Sequence, residues 1–352
     1  MGKVLVACAA IVAIVIGSPT SALSIYNETT APHSRDLTST PLLLPSPELA
    51  RAYDSLPNGK NGPAVAAHLR KITFEARTAT APKFEVVMSP TVNKTQVRNS
   101  VRAYESAMKI WQPLGVKKLD LTWAFMSEKD YDWWLNRVKK YETEKTSWDT
   151  KVWNPKTKEM GHCRLDAFSY CGYGNPKPSG KSFQYNMIGS KYSTVPNANT
   201  VNHEAVHFYQ DSIDTELMGM TPCWFVEGQA NLIGNVLDDS SMVVANRQYQ
   251  ISRVKEHIPK ASKLTSKAWV AELNSFDGPK RDFCIKTELS YSLGMFIFES
   301  LYSNYSFRQM HELVLAISES GSFSEAVEQT LGTTQEKLYG DIAKYLAKQF
   351  RG

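Results

Sequence analysis

Residues 203–207 read His-Glu-Ala-Val-His, and this pentapeptide restricts the local fold more than any other feature of the chain. Positions i and i+4 of an α-helix lie on the same face, so the imidazoles of His203 and His207 can point at one ion. Glu204 lies beside them, where its carboxylate can reach a water on that ion. Apolar neighbours such as Val206 and Phe208 give the segment a face for burial. The pentapeptide therefore predicts a half-buried helix that carries two metal ligands.

A third ligand is needed if zinc is to keep one coordination position open for water. Glu227 lies twenty residues after His207, inside an apolar, helix-like segment, 223–234, that contains no other carboxylate. Two helices joined by a loop would bring Glu227 to the histidines, which predicts one zinc ion per chain. Asn231 follows one turn later on the same face. It either accepts a hydrogen bond from a ligand histidine, and so fixes its tautomer, or faces solvent.

The first residues indicate export from the cell. Lys3 supplies a positive charge, residues 4–17 are almost entirely apolar, and small residues precede a plausible cleavage after Ala22. This is the layout of a secretory signal peptide over residues 1–22. The apolar run is shorter than the roughly 20 residues that a membrane span requires. The prediction is a secreted, extracytoplasmic protein, and an uncleaved signal anchor is the one alternative that would attach it to a membrane.

Four cysteines remain after removal of the predicted signal peptide: Cys163, Cys171, Cys223 and Cys284. An even number in an exported chain favours disulfides. Four cysteines allow three connectivities, between which the sequence does not choose. Proximity favours pairing Cys163 with Cys171, and hence Cys223 with Cys284. The alternative is a second metal site made by His162, Cys163 and Cys171.

Composition and charge patterning place the chain among ordinary globular proteins. Hydrophobic residues make up 42% of the sequence, charged residues 21%, and the net charge is +5. Basic residues are interleaved with acidic ones, as in residues 137–142, which predicts a solvated face and argues against nucleic-acid binding. The sequence does not indicate an oligomeric state. Residues 23–80, rich in Ser, Thr, Pro and Asn over their first part, are predicted to form a linker or arm.

Regular structure is predicted to begin near Lys83, and residues 81–352 are predicted to form one catalytic domain. Its front part, 81–199, contains strands at 84–88, 119–125 and 182–188, helices at 96–111 and 127–141, and a long loop at 143–180. Its back part, 200–352, is predicted to be helical, with helix starts at Ser322 and Thr333. A β-α-β-α front with a mixed sheet and a helical back half is an α+β fold.

The H-E-x-x-H helix followed by Trp224-Phe225-x-Glu227-Gly-x-Ala resembles the gluzincin metallopeptidases, which include thermolysin-like enzymes and zinc aminopeptidases. The resemblance is clearest over residues 202–233. Residues 290–296 are similar to the helix start at which the aminopeptidases carry a tyrosine that stabilises the tetrahedral transition state. Residues 321–332 resemble the helical tail of small bacterial gluzincin-like proteins. The resemblance implies a gluzincin-like fold and makes Tyr291 the candidate oxyanion donor.

Two departures narrow the expected activity. The Gly-x-Met-x-Asn motif with which the aminopeptidases grip a free amino terminus is absent, and no third histidine follows at the metzincin spacing. The expectation is a zinc endopeptidase acting on a peptide or protein, with Glu204 as general base. The alternatives are a non-catalytic secreted binding protein stabilised by zinc, and a zinc hydrolase of a non-protein amide or ester.

Overall fold

The structure, a computed structural model, describes residues 46–116, 120–127, 129–130, 132–133, 136, 153–154, 159–160, 163–164, 170–176, 181–188, 198–214, 216–237 and 240–351. Outside these residues lie the predicted signal peptide and most of the predicted helix at 127–141. The predicted Cys163–Cys171 disulfide and the alternative metal site with His162 also fall outside the described side chains.

Seven described strands form two sheets. They are β1 (Glu85–Met88), β2 (Asp120–Met126), β3 (Trp153–Asn154), β4 (Glu159–Met160), β5 (Cys163–Arg164), β6 (Tyr170–Pro176) and β7 (Lys181–Ile188). The larger sheet has the order β1-β2-β7-β6, in which the first three strands are parallel and β6 is antiparallel to β7. Val86 pairs with Trp123, and Tyr173 pairs with Tyr185. The smaller sheet, β3-β4-β5, is antiparallel.

Helices make up most of the described chain, which is an α+β fold. They are α1 (Pro47–Asp54), α2 (Gly62–Glu75), α3 (Lys94–Met108), α4 (Ala198–Ile213), α5 (Leu217–Met220), α6 (Phe225–Leu237), α7 (Ser240–His257), α8 (Ser266–Phe276), α9 (Arg281–Lys286), α10 (Leu289–Asn304), α11 (Phe307–Ser320), α12 (Phe323–Leu331) and α13 (Gln335–Phe350). The three predicted strands, the predicted helix at 96–111 and the helical back half are confirmed within one to three residues. Ser322 caps α12 as predicted, whereas α13 is capped by Thr334, one residue after the predicted start.

The prediction that regular structure begins near Lys83 is wrong, because α1 and α2 precede it. The polar and proline residues that suggested a linker are helix starts. Ser46 caps α1 with a proline at the first position, and the Asn61 side chain accepts a hydrogen bond from Ala64 N at the start of α2. Turns and helix N-termini favour the same residue types, so composition alone does not separate them. The predicted linker or arm at 23–80 therefore does not describe residues 47–75.

The prediction of a long loop at 143–180 is also wrong where the structure describes it, since β3 to β6 lie there. β6 contains two glycines and a proline, residues that are depleted in strands. Its pairing with β7 along seven residues supplies backbone hydrogen bonds, and these hold the segment as a strand in spite of its low strand propensity. Strand pairing is a tertiary contact, and it overrides local preference here.

One hydrophobic cluster joins the sheet to the helices that carry the predicted site. Trp123 of β2 contacts Tyr104 of α3 with ring centroids 4.9 Å apart, and Tyr104 contacts Phe208 of α4 at 5.9 Å. α4 therefore packs against α3, and it also packs against α6. No helix within the described ranges combines the length and apolar character needed to cross a membrane.

Candidate metal centre

Helix α4 presents both predicted histidines on the face that its neighbours leave partly open. Val201, Ala205 and Tyr209 on the other faces are fully buried, and the Tyr209 ring stacks on Trp111 with centroids 4.5 Å apart. The side chains of His203 and His207 keep 12% and 20% of their surface exposed. The i, i+4 spacing therefore places both imidazoles at one partly accessible position, as the sequence predicts.

Helix α6 brings Glu227 to the same position. Every residue from Phe225 to Val236 is buried except Glu227, whose side chain is 15% exposed. A carboxylate in so apolar a helix is costly unless a positive charge or hydrogen-bond donors compensate it. Its buried Oε2 atom lies within 3.3 Å of the Nε2 atoms of both histidines, so the helix aims its single carboxylate at them.

The three candidate ligand atoms lie slightly closer together than ligand atoms around one tetrahedral ion. His203 Nε2 and His207 Nε2 are 2.9 Å apart, and Glu227 Oε2 is 3.3 Å from the first and 3.2 Å from the second. Atoms held about 2.1 Å from one tetrahedral ion are separated by about 3.4 Å. Among the described residues, one group of three such side chains could hold a metal ion, and it consists of His203, His207 and Glu227.

The electrostatics of the group favour a cation between the three atoms. Glu227 Oε2 is buried and has no hydrogen-bond partner among the described residues, since both Nε2 atoms lie close to it but off hydrogen-bonding geometry. Burial by itself would lower the pKa of His207, but the Glu227 carboxylate outweighs it and raises that pKa to about 10. Burial would raise the pKa of Glu227, and the histidines instead hold it well below its usual range. The site therefore attracts positive charge, whether protons or a metal ion.

Gln210, which the sequence did not reveal, contacts Nδ1 of His207, the ring nitrogen opposite the candidate ligand atom. Its Oε1 lies 2.9 Å from His207 Nδ1, and its Nε2 donates to Val226 O at 3.1 Å and to Gln229 Oε1 at 2.9 Å. Gln229 in turn donates to the Tyr302 hydroxyl at 3.2 Å. The signal in the sequence was the i+3 spacing of Gln210 from His207, which puts both on one helix face.

Asn231 does not take the role predicted for it. Its amide nitrogen donates to the backbone carbonyl of Tyr291 at 3.0 Å, and its Oδ1 accepts from Asn235 at 2.9 Å. The prediction that it accepts a hydrogen bond from a ligand histidine is wrong, because its side chain points toward α10 and Gln210 occupies the position behind His207. Asn231 is 6% exposed, so it does not face solvent either.

Tyr291 lies in the ligand group, at the start of α10. Its ring stacks on His203 with centroids 5.5 Å apart and an interplanar angle of 12°, and its hydroxyl lies near enough to Glu227 to interact with that carboxylate. Burial, followed by the charges of Glu227 and Glu204, raises its pKa well above the ordinary value, so the hydroxyl keeps its proton and can donate it in a hydrogen bond. The structure thus brings the predicted tyrosine to the predicted ligands.

Two glycines set the distance between α6 and α10. A Cβ on Gly228 would lie 2.6 Å from the backbone of Gly294, and a Cβ on Gly294 would lie 2.6 Å from Trp224 O. Real Cβ atoms do not approach backbone so closely, so only glycine at both positions permits this crossing. Gly228 follows Glu227 directly, and Gly294 is three residues after Tyr291. The backbone contact therefore fixes the ligand relative to the tyrosine.

A disulfide joins Cys223, one turn before Glu227, to Cys284, with Cα atoms 6.3 Å apart. This confirms the predicted pairing. It ties the start of α6 to α9, the short helix that precedes Tyr291.

Glu204 and Asp211 add negative charge around the ligands. Both are half-buried. Glu204 is adjacent to His203 in α4, and its charge acts on His207 and Tyr291. Burial, opposed by His207 and reinforced by the other two carboxylates, raises the pKa of Asp211 to about 7.

Comparison with protein-family models, with curated proteins and with solved structures finds no match.

Proposed function

We propose that the chain is a secreted, zinc-dependent metallopeptidase of the gluzincin type that hydrolyses internal peptide bonds of peptides or proteins. The observation that supports this most strongly is the convergence of His203, His207 and Glu227, whose candidate ligand atoms lie within 3.3 Å of one another, with Glu204 and Tyr291 beside them. Two imidazoles and one carboxylate are a ligand set that catalytic zinc uses, and three protein ligands leave one position open.

The partial exposure of the ligands supports a catalytic site over a structural one. Structural zinc sites are closed by four protein ligands. Here three side chains converge, which leaves a fourth position for a water or substrate atom, and these side chains keep 12–20% of their surface exposed although Glu227 Oε2 itself is buried. A zinc site that only stabilised the fold would also have no use for Glu204, which is not a ligand.

In this proposal zinc, when bound, supplies Lewis-acid chemistry that polarises the scissile carbonyl. Glu204 accepts a proton from the attacking water while the water oxygen bonds to the carbonyl carbon. The same carboxylate then passes that proton to the leaving nitrogen as the carbon–nitrogen bond breaks. The Tyr291 hydroxyl, kept protonated by its raised pKa, donates a hydrogen bond to the carbonyl oxygen as negative charge develops there.

Secretion is supported by two independent features. The first 22 residues have the layout of a signal peptide. The Cys223–Cys284 disulfide lies in the described structure, and disulfides form and persist in oxidising compartments.

The experiment that tests the activity compares the wild type with Glu204→Gln on an unfolded protein substrate. Glu204→Gln removes the base without removing a ligand, so we expect zinc content and melting temperature to be unchanged while turnover falls about 10²–10⁴-fold. Glu216→Gln, an exposed glutamate at the start of α5, is the matched control and should cleave normally.

The two alternatives give different results in the same experiment. A non-catalytic protein stabilised by zinc would bind the metal but show no cleavage in the wild type. A hydrolase of a non-protein amide or ester would cleave small amide or ester probes and leave the unfolded protein intact. Near-normal cleavage by Glu204→Gln would refute the mechanism.

A further inference from the structure

We propose that Gln210 is the positioning residue of the metal centre: it holds His207 in the one tautomer that can bind a metal through Nε2, and it locks the histidine helix α4 to the glutamate helix α6. The inference rests on the proposed metal centre, because its consequence is measured as metal affinity. It uses the contacts of a side chain that is 1% exposed and lies behind the ligands, away from any substrate.

The amide of Gln210 can be oriented in one way only. Its Nε2 end lies 3.1 Å from the backbone carbonyl of Val226 and 2.9 Å from Gln229 Oε1, and a backbone carbonyl accepts hydrogen bonds but never donates them. The nitrogen of the amide must therefore face Val226, which leaves the oxygen facing His207. Reversing the amide would set two oxygens against each other in a buried place.

That orientation decides which nitrogen of His207 carries the proton. Gln210 Oε1 is an acceptor and lies 2.9 Å from Nδ1, so Nδ1 must donate. In the neutral ring the lone pair then belongs to Nε2, the atom that faces His203 and Glu227. The other tautomer would point a hydrogen into the site and could not bind a metal there. Hydrogen bonds to the far nitrogen commonly select the tautomer of a metal-binding histidine.

The same side chain couples three helices. Val226 is the residue before Glu227, so the Gln210–Val226 hydrogen bond fixes the position of Glu227 relative to His207. Gln229 carries the connection from α6 to Tyr302 of α10, the helix that begins beside Tyr291. Gln229 and Tyr302 are 1% and 3% exposed. A buried polar chain of this kind is stabilising only when every member is satisfied, which restricts the helices to one arrangement.

The test measures zinc affinity, by competition with a chelator of known affinity, for the wild type, Gln210→Met and Gln229→Met. Methionine is close in volume to glutamine, so neither change opens a large cavity. Both variants lose buried hydrogen bonds, and their melting temperatures should fall by similar amounts. Only Gln210→Met releases His207. We expect its zinc affinity to fall about 10–100-fold, as for other partners of metal-bound histidines, and that of Gln229→Met to change much less.

Gln210→Glu is the second variant, because a carboxylate still accepts from His207 Nδ1 while losing the bond to Val226. We expect it to recover zinc affinity to within about tenfold of the wild type, well above Gln210→Met. Equal affinities for the wild type and Gln210→Met would overturn the positioning role and leave the metal centre standing. Equal losses of zinc affinity in Gln210→Met and Gln229→Met would mean that Gln210 contributes only through packing. A wild type that binds no zinc would overturn the metal centre and this inference together.

Discussion

Helices α4 and α6 both deliver ligands to one point, but they are held there by different kinds of contact. α4 is held by polar side chains: Gln210 bonds to α6, and the Tyr209 hydroxyl bonds to His311 Nδ1 of α11 at 2.8 Å. α6 is held by the backbone contact of Gly228 with Gly294 and by the Cys223–Cys284 disulfide. Beyond its apolar packing, the position of α4 therefore depends on protonation and hydrogen bonding, whereas that of α6 depends on a close backbone contact and a covalent bond.

The largest effect is expected from breaking the shape-dependent contact of α6. In Gly228→Ala the added Cβ meets the Gly294 backbone at 2.6 Å, and backbone cannot rotate away as a side chain can. We expect the free energy of unfolding to fall by about 3 kcal/mol, the upper part of the range for overpacked cores, and zinc affinity to fall with it. Chemical denaturation and zinc competition on the same sample measure both.

Gly340→Ala is the matched control, because Gly340 is also a helical glycine but a Cβ there has no atom within 4 Å. This change should stabilise the protein by about 0.5–1 kcal/mol, since alanine favours the helix. Equal effects of the two substitutions would show that the α6–α10 crossing tolerates a side chain and does not set the position of Glu227.

A smaller, pH-dependent effect is expected at the hydrogen bond between Tyr209 of α4 and His311 of α11. Burial lowers the pKa of His311 to about 4, and the backbone carbonyl of Leu114 only partly opposes this. A folded-state pKa below the unfolded value of about 6.5 means that the unfolded chain binds the proton more tightly. The stability supplied by neutral His311 is therefore complete above about pH 6.5 and is lost as the pH falls toward 4.

His311→Asn isolates this term, because asparagine keeps an acceptor for Tyr209 but does not titrate. Between pH 7.5 and 4.5 we expect the wild type to lose about 2–3 kcal/mol more stability than the variant. If the stabilities of the two proteins changed in parallel with pH, protonation of His311 would not affect stability. The contacts of α4 would then depend on pH no more than those of α6 do.

The grouping of His203, His207 and Glu227 could be predicted from sequence because helices repeat their faces at fixed spacing. His203 and His207 lie one turn apart, and Glu227 is the one carboxylate in an apolar helix, so local pattern was enough. Gln210 and the correct partner of Asn231 could not be found in this way. Each depends on which atom of a neighbouring helix lies opposite, and that follows from tertiary packing.

The N-terminal helices and the short strands were missed for two different physical reasons. α1 and α2 begin with the proline and asparagine residues that also make turns, so composition favoured a linker. β6 pairs with β7 in spite of its glycines, because the ladder depends on a partner strand and not on its own residues. The gluzincin-like fold and the endopeptidase activity remain predictions.

The most direct test of the proposed metal centre is the zinc content of the purified protein after exhaustive dialysis, compared with that of His207→Ala and His257→Ala. His257 ends α7 and is not part of the ligand group. We expect one zinc per chain in the wild type and in His257→Ala, and close to none in His207→Ala, because two remaining ligands hold zinc poorly. Full zinc occupancy in His207→Ala, or a wild type that retains none, would contradict it.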